Sequence, residues 1–348
     1  MGGFLSSNSF LIAQVGICVV IWVGLQLSAA VMVYMERKVA AYLQQRVGPT
    51  RVGYAGLLQP IADVVKLLFK EELRPAAADP LLFALAPIIS ATAAFAAFAV
   101  VPFGGSTTLL GLLTEPLPLH VADVNVGVLV VFAITSMGVY GIVLAGWSSN
   151  SKYSLLGGLR SSAQMISYEL SYGMALAAVL VLANSMSLRD IVNAQSGTLL
   201  GISQFHWFVF LNPIGFLIFF TAGIAETNRA PFDFPEAEQE LVAGYHTEYS
   251  SMSFGMFFLA EYINMVTVSA VATDLFLGGW WFPFVPESLG WLVFLAKISV
   301  LLFFYIWMRW SLPRYRYDQL MHFGWKFLLP LSVLNLIATA AGVLYFGL

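Results

Sequence analysis

The sequence predicts an all-α integral membrane protein with eight transmembrane helices and an amphipathic interfacial helix in the first polar connection. Three observations carry this. Hydrophobic residues make up 59% of the 348 and charged residues 10%, where a soluble domain carries about 25% charged. Mean hydropathy is +0.82. Apolar runs long enough to span a bilayer recur along the chain.

The runs fall at about 10–35, 81–101, 126–146, 163–183, 208–225, 254–273, 289–308 and 327–346. At about 1.5 Å per residue each can cross a hydrocarbon core of roughly 30 Å. Barrel-type alternation is absent from them, so they read as helices. The first run is too long for a signal-peptide core, and no charge precedes Glu36, so a basic leader is lacking too. The single cysteine, Cys18, lies in that run. It excludes an internal disulfide, a cysteine zinc site and an iron–sulphur cluster held by this chain alone.

Lysine and arginine set the orientation. Fourteen of the 16 lie in connections 1–2, 3–4, 5–6 and 7–8, and the other face has only Arg189, with Lys297 inside helix 7. The expected arrangement is one polytopic domain, 1–348, with cytoplasmic connections at about 36–80, 147–162, 226–253 and 309–326. Both termini are then on the far side. The far-side loops, rich in Gly and Pro, read as covers, and their Glu115, His120 and Asp123 as solvated loop residues.

In the first connection Ile61, Val64, Val65 and Leu68 form one helical stripe, with Asp63, Lys66 and Lys70 on the other faces. The segment is too short to span and suits the interface, where it could be no more than a surface anchor. Arg46 and Arg51 flank the Gly48-Pro49 turn. They either meet lipid phosphates or form the basic rim of a docking surface.

Ionisable groups inside the spans are the strongest functional candidates, because burying a charge there costs several kcal/mol, about 2.5–3.5 even on the gentler scales. Helix 4 carries Glu169, with Gln164, Tyr168 and Ser171 at i, i+4 and i+7 as a polar stripe. Helix 6 carries Glu261 and Asn264, and helix 7 carries Lys297. A structural ion pair such as Glu261 with Lys297 is one reading, and a buried proton or ion path is the other.

The segment "AETNRAPFDFPEAEQELVAGYHTEYSS" holds six of the chain's 19 acids: Glu226, Asp233, Glu236, Glu238, Glu240 and Glu248. A short helix beginning at Pro235 would set Glu236 and Glu240 side by side, a locally unfavourable like-charge pair. A solvated loop could carry such acids. Interleaved Phe, Pro and Gly between two membrane helices favour an acid-rich funnel lining a cavity, with His246 as a hydrogen-bonded bystander.

Three blocks then carry a resemblance: "MERKVAAYLQQRVGPTRVGYAGLLQPIADVVKLLFKEE", "GWSSNSKYSLLGGLRSSAQMISYEL" and "AETNRAPFDFPEAEQELVAGYHTEYSSMSFGMFFLAEY". With the eight-span layout the chain closely resembles, almost end to end, the H-type subunits of proton-pumping NADH:quinone oxidoreductase, respiratory complex I. The mitochondrial counterpart of that family is NADH dehydrogenase subunit 1. The resemblance implies a membrane-arm subunit at the junction with the peripheral arm, forming part of the quinone cavity and coupling quinone reduction to proton translocation. It implies quinone, expected to be ubiquinone, as substrate. Flavin and iron–sulphur clusters belong to partner subunits, and no metal or nucleic acid to this chain. Membrane-arm subunits, the peripheral-arm subunits bearing the terminal cluster, and lipid are the implied partners. The implied location is the bacterial inner membrane with periplasmic termini, or the mitochondrial inner membrane if the chain is organellar.

Carried over residue by residue, Arg37 and Arg46 match the family's basic tunnel-mouth block. Arg229, Phe232 and Asp233 match its quinone-side loop. Tyr168, Glu169, Glu226, Glu236, Glu238, Glu240 and Glu261 match its acid chain, and Arg160 matches an arginine expected to support those acids. The nearest alternative is the homologous subunit of a membrane-bound hydrogenase or related ion-pumping complex. A stand-alone transporter would commonly show two related halves, which are not evident. A bare structural anchor would leave the intramembrane charges unexplained.

Overall fold

Within lipid, a chain satisfies its backbone polar groups internally, and a long apolar run does so as a helix. The computed structural model describes the backbone of residues 2–107, 117–199, 202–203, 206–233 and 243–346, and the side chains of 14–105, 119–198, 206–233 and 243–345. Its longer helices are α1 (Gly2–Leu43), α2 (Gln59–Phe69), α3 (Pro80–Phe98), α4 (Gly127–Ser148) and α5 (Lys152–Ala183). There follow α6 (Leu188–Ala194), α7 (Phe208–Leu211), α8 (Pro213–Glu226), α9 (Ser251–Phe276) and α10 (Gly290–Ser311). Finally α11 (Tyr317–His322) runs through a π-turn, Phe323–Leu328, into α12 (Leu329–Phe346).

Among the described residues, seven helical segments are long and apolar enough to cross a bilayer: Gln14–Leu43, Pro80–Phe98, Gly127–Ser148, Lys152–Ala183, Ser251–Phe276, Glu287–Ser311 and Tyr317–Tyr345. The chain is thus a multi-pass helical membrane protein. The fifth apolar run is broken, with α7 and then α8, a 14-residue apolar helix. Asn212 makes the break: its φ of −136° is non-helical, and its Oδ1 accepts the Gly215 N–H at 2.8 Å, capping α8 with Pro213 in the first turn. Asp79 caps α3 in the same way, accepting from Leu81 N–H at 3.0 Å and Leu82 N–H at 3.2 Å.

α5 begins at Lys152, well ahead of the apolar run that marked it. The added turns carry buried small residues, Ser154, Gly157, Gly158 and Ser161, which score as neutral in hydropathy yet let helices approach. Between helices surrounded by lipid, close packing rather than hydrophobic exclusion drives association. A Cβ on Gly157 would stand 2.6 Å from the Gly244 Cα, and one on Gly146 3.2 Å from the Gly158 Cα. The first contact locks the Gly244–His246 turn onto α5.

α9 is the central helix: 61% of its span is buried, against 17% for the last span. It packs on α3, α1, α10, α8 and α2, while α5 packs on α4, α8 and α12. Tyr168, Phe219, Ile263, Phe276 and Phe294 are fully buried between them. α2 forms where the apolar spacing placed a helix, and its stripe residues Ile61, Val64, Val65 and Leu68 are all exposed. Two short antiparallel ladders, Ser106–Thr107 with Leu117–Pro118 and Thr198–Leu199 with Ile202–Ser203, lie in connections that hydropathy marks only as loops.

Candidate functional site

Four segments bring charge to one place inside the protein. α1 supplies Glu36, the turn after α8 supplies Arg229, α9 supplies Glu261 and Tyr262, and α10 supplies Arg309. Asn228 turns the chain through a left-handed conformation, φ 52°, which Asn adopts more readily than most residues. That turn delivers Arg229 inward, where it is only 3% exposed.

The Arg229 Nε lies 2.7 Å from Glu261 Oε1, and its Nη1 3.7 Å from Glu36 Oε1. Its guanidinium sits over the Tyr262 ring, 4.4 Å from the centroid. The Tyr262 hydroxyl donates to Glu36 Oε2 at 2.7 Å, and Arg309 also holds Glu36. Two arginines thus face two carboxylates. Such a buried group persists only when its charges are paired and hydrogen-bonded.

Next to this cluster is a narrow cavity lined by Glu226, Glu261, Asn264, Asn228, His246 and Ser90, among others. It encloses about 40 Å³ open to water-sized molecules, where one water needs about 10–15 Å³. One carboxylate oxygen of Glu226 is buried without a hydrogen-bond partner among the described residues. Thr135 of α4, whose hydroxyl donates to the Phe132 carbonyl at 3.0 Å, stands beside Glu226, and Glu169 of α5 lies within its electrostatic reach. Ser136, the next residue of α4, donates to Glu169. Tyr172 and Tyr305 flank Glu226 on the protein side. Glu169 and Glu226 are therefore neighbours, and Glu226 shares the cavity wall with Glu261.

His246, in the turn pinned to α5, packs against Tyr245 and Phe254, with ring centroids 4.9 and 5.4 Å away. Burial pushes its pKa down to about 4, so it faces the cavity as neutral imidazole.

The turn after Arg229 is held by the expected polar stripe of α5. Gln164, Tyr168 and Ser171 are all fully buried, facing protein rather than lipid. The Gln164 amide donates to the Ala225 carbonyl at 2.9 Å and the Phe232 carbonyl at 2.7 Å. Phe232 is buried 5.5 Å from the Tyr168 ring and 5.8 Å from Tyr315. The Asp233 carbonyl accepts from Arg314. The Tyr168 hydroxyl donates to the Leu320 carbonyl at 3.0 Å, so Tyr168 belongs to this aromatic wall rather than to the carboxylate group of its neighbour Glu169.

The remaining candidates lie elsewhere. Arg37 pairs with Asp63 at 2.7 Å, tying α1 to α2. Arg46 is exposed and bonds Gln44 Oε1 at 2.7 Å. Arg160 stands over the Tyr317 ring at 5.7 Å. Glu236, Glu238 and Glu240 lie outside the described residues, as does Glu115.

Two expectations are corrected. Glu261 does not pair with Lys297: Arg229 takes the carboxylate, and the Lys297 ammonium donates to three backbone carbonyls past the other end of α9. His120 is not a solvated loop residue. It is largely buried 4.0 Å from Asp123, which also meets Arg189 at 3.4 Å, and burial holds its pKa below the usual imidazole value. Glu36, Tyr262 and Arg309 do not stand out in the sequence. Glu36 and Arg309 lie at the edges of apolar runs, where a charge passes for topology, and Tyr262 is one aromatic among many within the sixth run.

Fold and site together define a multi-pass membrane protein with paired charges and an acid-lined cavity inside its helical bundle. A family model described as NADH dehydrogenase matches residues 15–340, and the chain belongs to that family. The second of the H-type NADH-quinone oxidoreductase subunits of Geobacter metallireducens is 53% identical over 343 residues, covering 95% of each chain. The first H-type NADH-quinone oxidoreductase subunit of Geobacter sulfurreducens is 52% identical over 342 residues, covering 95% of this chain and 94% of that one. NADH-quinone oxidoreductase subunit 8 of Rhodothermus marinus is 53% identical over 336 residues, covering 92% and 94%.

Proposed function

We propose that this chain is the membrane-arm subunit that forms part of the quinone cavity of a proton-translocating NADH:quinone oxidoreductase and passes the effect of quinone reduction to buried carboxylates. The observation that carries it is the Glu36–Arg229–Glu261 cluster abutting the cavity that Glu226 lines, in a chain more than half identical to proteins named as H-type subunits of NADH-quinone oxidoreductase.

Reducing a quinone takes two electrons and two protons. The electrons come from an iron–sulphur cluster on a peripheral-arm partner, with flavin further back in the assembly. The part of this chain is electrostatic. Negative charge forming near Arg229 competes with Glu261 and Glu36 for its guanidinium, and in low dielectric that competition is strong. A carboxylate losing its partner takes a proton more readily. Glu226 and Glu169 stand next in line, within electrostatic reach of one another, so a change of charge at one is felt at the other. The aromatic wall of Phe232 and Tyr168 shapes the headgroup side, with Asp233 beside it, and Glu236, Glu238 and Glu240 are assigned to the same proton-coupling acids by their match to the family's acid chain. Arg37 and Arg46 form the basic approach, and Arg160 braces α5.

In this reading, α7 and α8 together make an eighth span, α2 lies in the membrane interface with its apolar stripe toward lipid, and the whole chain is one membrane domain. The connections at about 36–80, 147–162, 226–253 and 309–326 face the cytoplasm, and both termini face the periplasm of a bacterial inner membrane. Ubiquinone is the substrate assigned.

The test is to tag the chain, purify it in mild detergent, and assay inhibitor-sensitive NADH:quinone reduction while identifying its companions. Activity in a large flavin- and cluster-bearing assembly supports the proposal. Isolation of the chain alone, or with hydrogenase subunits and no NADH oxidation, overturns it.

A further inference from the structure

Past the end of α9 lies a second buried charged constellation that the quinone reading does not use. Asp274, in the last turn of α9, is 0% exposed, and among the described residues neither carboxylate oxygen has a hydrogen-bond partner. The chain wraps tightly around it through Gly278 and Gly279, both left-handed with φ of 69° and 51°. A Cβ on Gly279 would come 2.9 Å from Asp274 Oδ1.

Lys297, from α10, faces the same turn. Its ammonium donates to the carbonyls of Leu277, Gly279 and Trp281 at 2.6, 2.8 and 2.7 Å. An ammonium has three N–H groups, so all three are spent on the backbone. The Trp207 ring closes over it with the nitrogen 4.4 Å from the centroid. Gln195, fully buried on the chain after α6, donates to the Asp274 and Ile191 carbonyls and accepts from Phe208 and Gly278 N–H. The amide is therefore spent as well.

The Lys297 and Gln195 donors are thus committed elsewhere, and the carboxylate receives a hydrogen bond from neither. Lys297 is the charged group set against it, acting through space, and α6 presents the neutral Gln195. An ionised carboxylate with no hydrogen-bond donor in low dielectric is strongly disfavoured, the more so at membrane depth. A ligand that removes that cost must be a cation. A metal ion would need the carbonyls that the Lys297 ammonium already fills. A proton needs only the oxygen itself.

We propose that Asp274 is a second proton-binding site, holding one exchangeable proton at the opposite end of α9 from Glu261. Thirteen residues separate the two acids, roughly 20 Å along the helix axis. Lys297, held in its carbonyl cage, is the cationic group set against the site, so the carboxylate left when the proton departs is stabilised through space by the ammonium form rather than by a new bond. The site stands independently of quinone reactivity, because its constellation shares no residue with the Glu36–Arg229–Glu261 cluster.

Infrared spectroscopy of the purified, intact assembly at neutral pH tests it, using aspartate labelled at the side-chain carboxyl carbon and comparing wild type with Asp274→Asn. The expected result is a protonated-carboxyl C=O band that shifts in D2O and is lost in Asp274→Asn. If that variant does not assemble, Asp274→Glu is expected to remove the same labelled-aspartate band. Unchanged protonated-carboxyl absorption in the substituted protein overturns the proposal, and so does a band that stays unshifted after prolonged turnover in D2O. The readout concerns the resting protein and does not depend on quinone reduction.

Discussion

Arg229 Nε meets Glu261 Oε1 at 2.7 Å, joining the turn after α8 to the central helix, with the Tyr262 ring 4.4 Å from the guanidinium. The same arginine reaches Glu36 on α1 at 3.7 Å. One side chain therefore ties three elements through charge, and its removal strands Glu261 while leaving Glu36 to Arg309 and Tyr262.

Arg229→Met is expected to lower the stability of the assembled protein by about 3–5 kcal/mol, the usual loss when one partner of a buried pair is removed. Combining it with Glu261→Gln should recover part of that loss, because one stranded charge is removed too. Thermal unfolding midpoints of the two purified variants check this. A double variant no more stable than the single one contradicts the pairing.

Tyr262→Phe removes only the hydroxyl that donates to Glu36 at 2.7 Å and leaves the ring over Arg229. A hydrogen bond to a charged group contributes about 1.5–3 kcal/mol, and a loss of that size is expected in the same assay. Activity near wild type with unchanged stability would show that Arg309 alone suffices for Glu36.

Glu169→Gln keeps an oxygen that can accept from Ser136 but cannot carry a proton. The complex is expected to assemble at wild-type yield and to lose most coupled turnover, ten-fold or more, an effect of about 1.4 kcal/mol or greater on the limiting step. NADH oxidation and proton uptake measured together in proteoliposomes decide it. Wild-type values for both remove Glu169 from the path.

The sequence made the helical bundle legible because a bilayer leaves few alternatives to long apolar helices. Asn212 hid the break in the fifth run, since one capping residue barely lowers the mean hydropathy of its surroundings. Glu169 and Glu261 stood out as acids inside apolar runs. Glu36 and Arg309 did not, because each sits where a run ends and a charge is ordinary. Their meeting with Tyr262, 226 residues from Glu36 in sequence, is a product of tertiary packing that no local pattern encodes. Asp274 escaped for the same reason: hydropathy closes the sixth run at about 273, one residue too soon.

His246 gives a pH signature. Burial lowers its pKa from 6.5 to about 4, so between those values the unfolded chain binds more protons than the folded one. Stability then rises with pH across that window, and is lost as pH falls from 6.5 toward 4. The full effect is at most about 3 kcal/mol. His246→Gln, neutral throughout, is expected to flatten that part of the curve of inactivation temperature against pH. An unaltered slope would show that the ring is not buried as described.

Gly157 tests how the cavity turn is positioned. Alanine there would place its Cβ 2.6 Å from the Gly244 Cα, pushing the Gly244–His246 turn off α5 at a cost of about 1–3 kcal/mol. Gly157→Ala is expected to lower turnover along with stability, whereas Gly342→Ala on α12, where no described atom lies within 4 Å of the added carbon, should leave both near wild type.

The central claim is that quinone reacts against the Arg229 side of this chain. Photoaffinity labelling of the purified, active assembly with a headgroup-reactive quinone analogue, followed by peptide mapping, addresses it directly. Label is expected within residues 225–262 of this chain, displaced by excess quinone and diminished in Arg229→Lys. Displaceable label found only on other subunits, with none in this segment, would contradict the account.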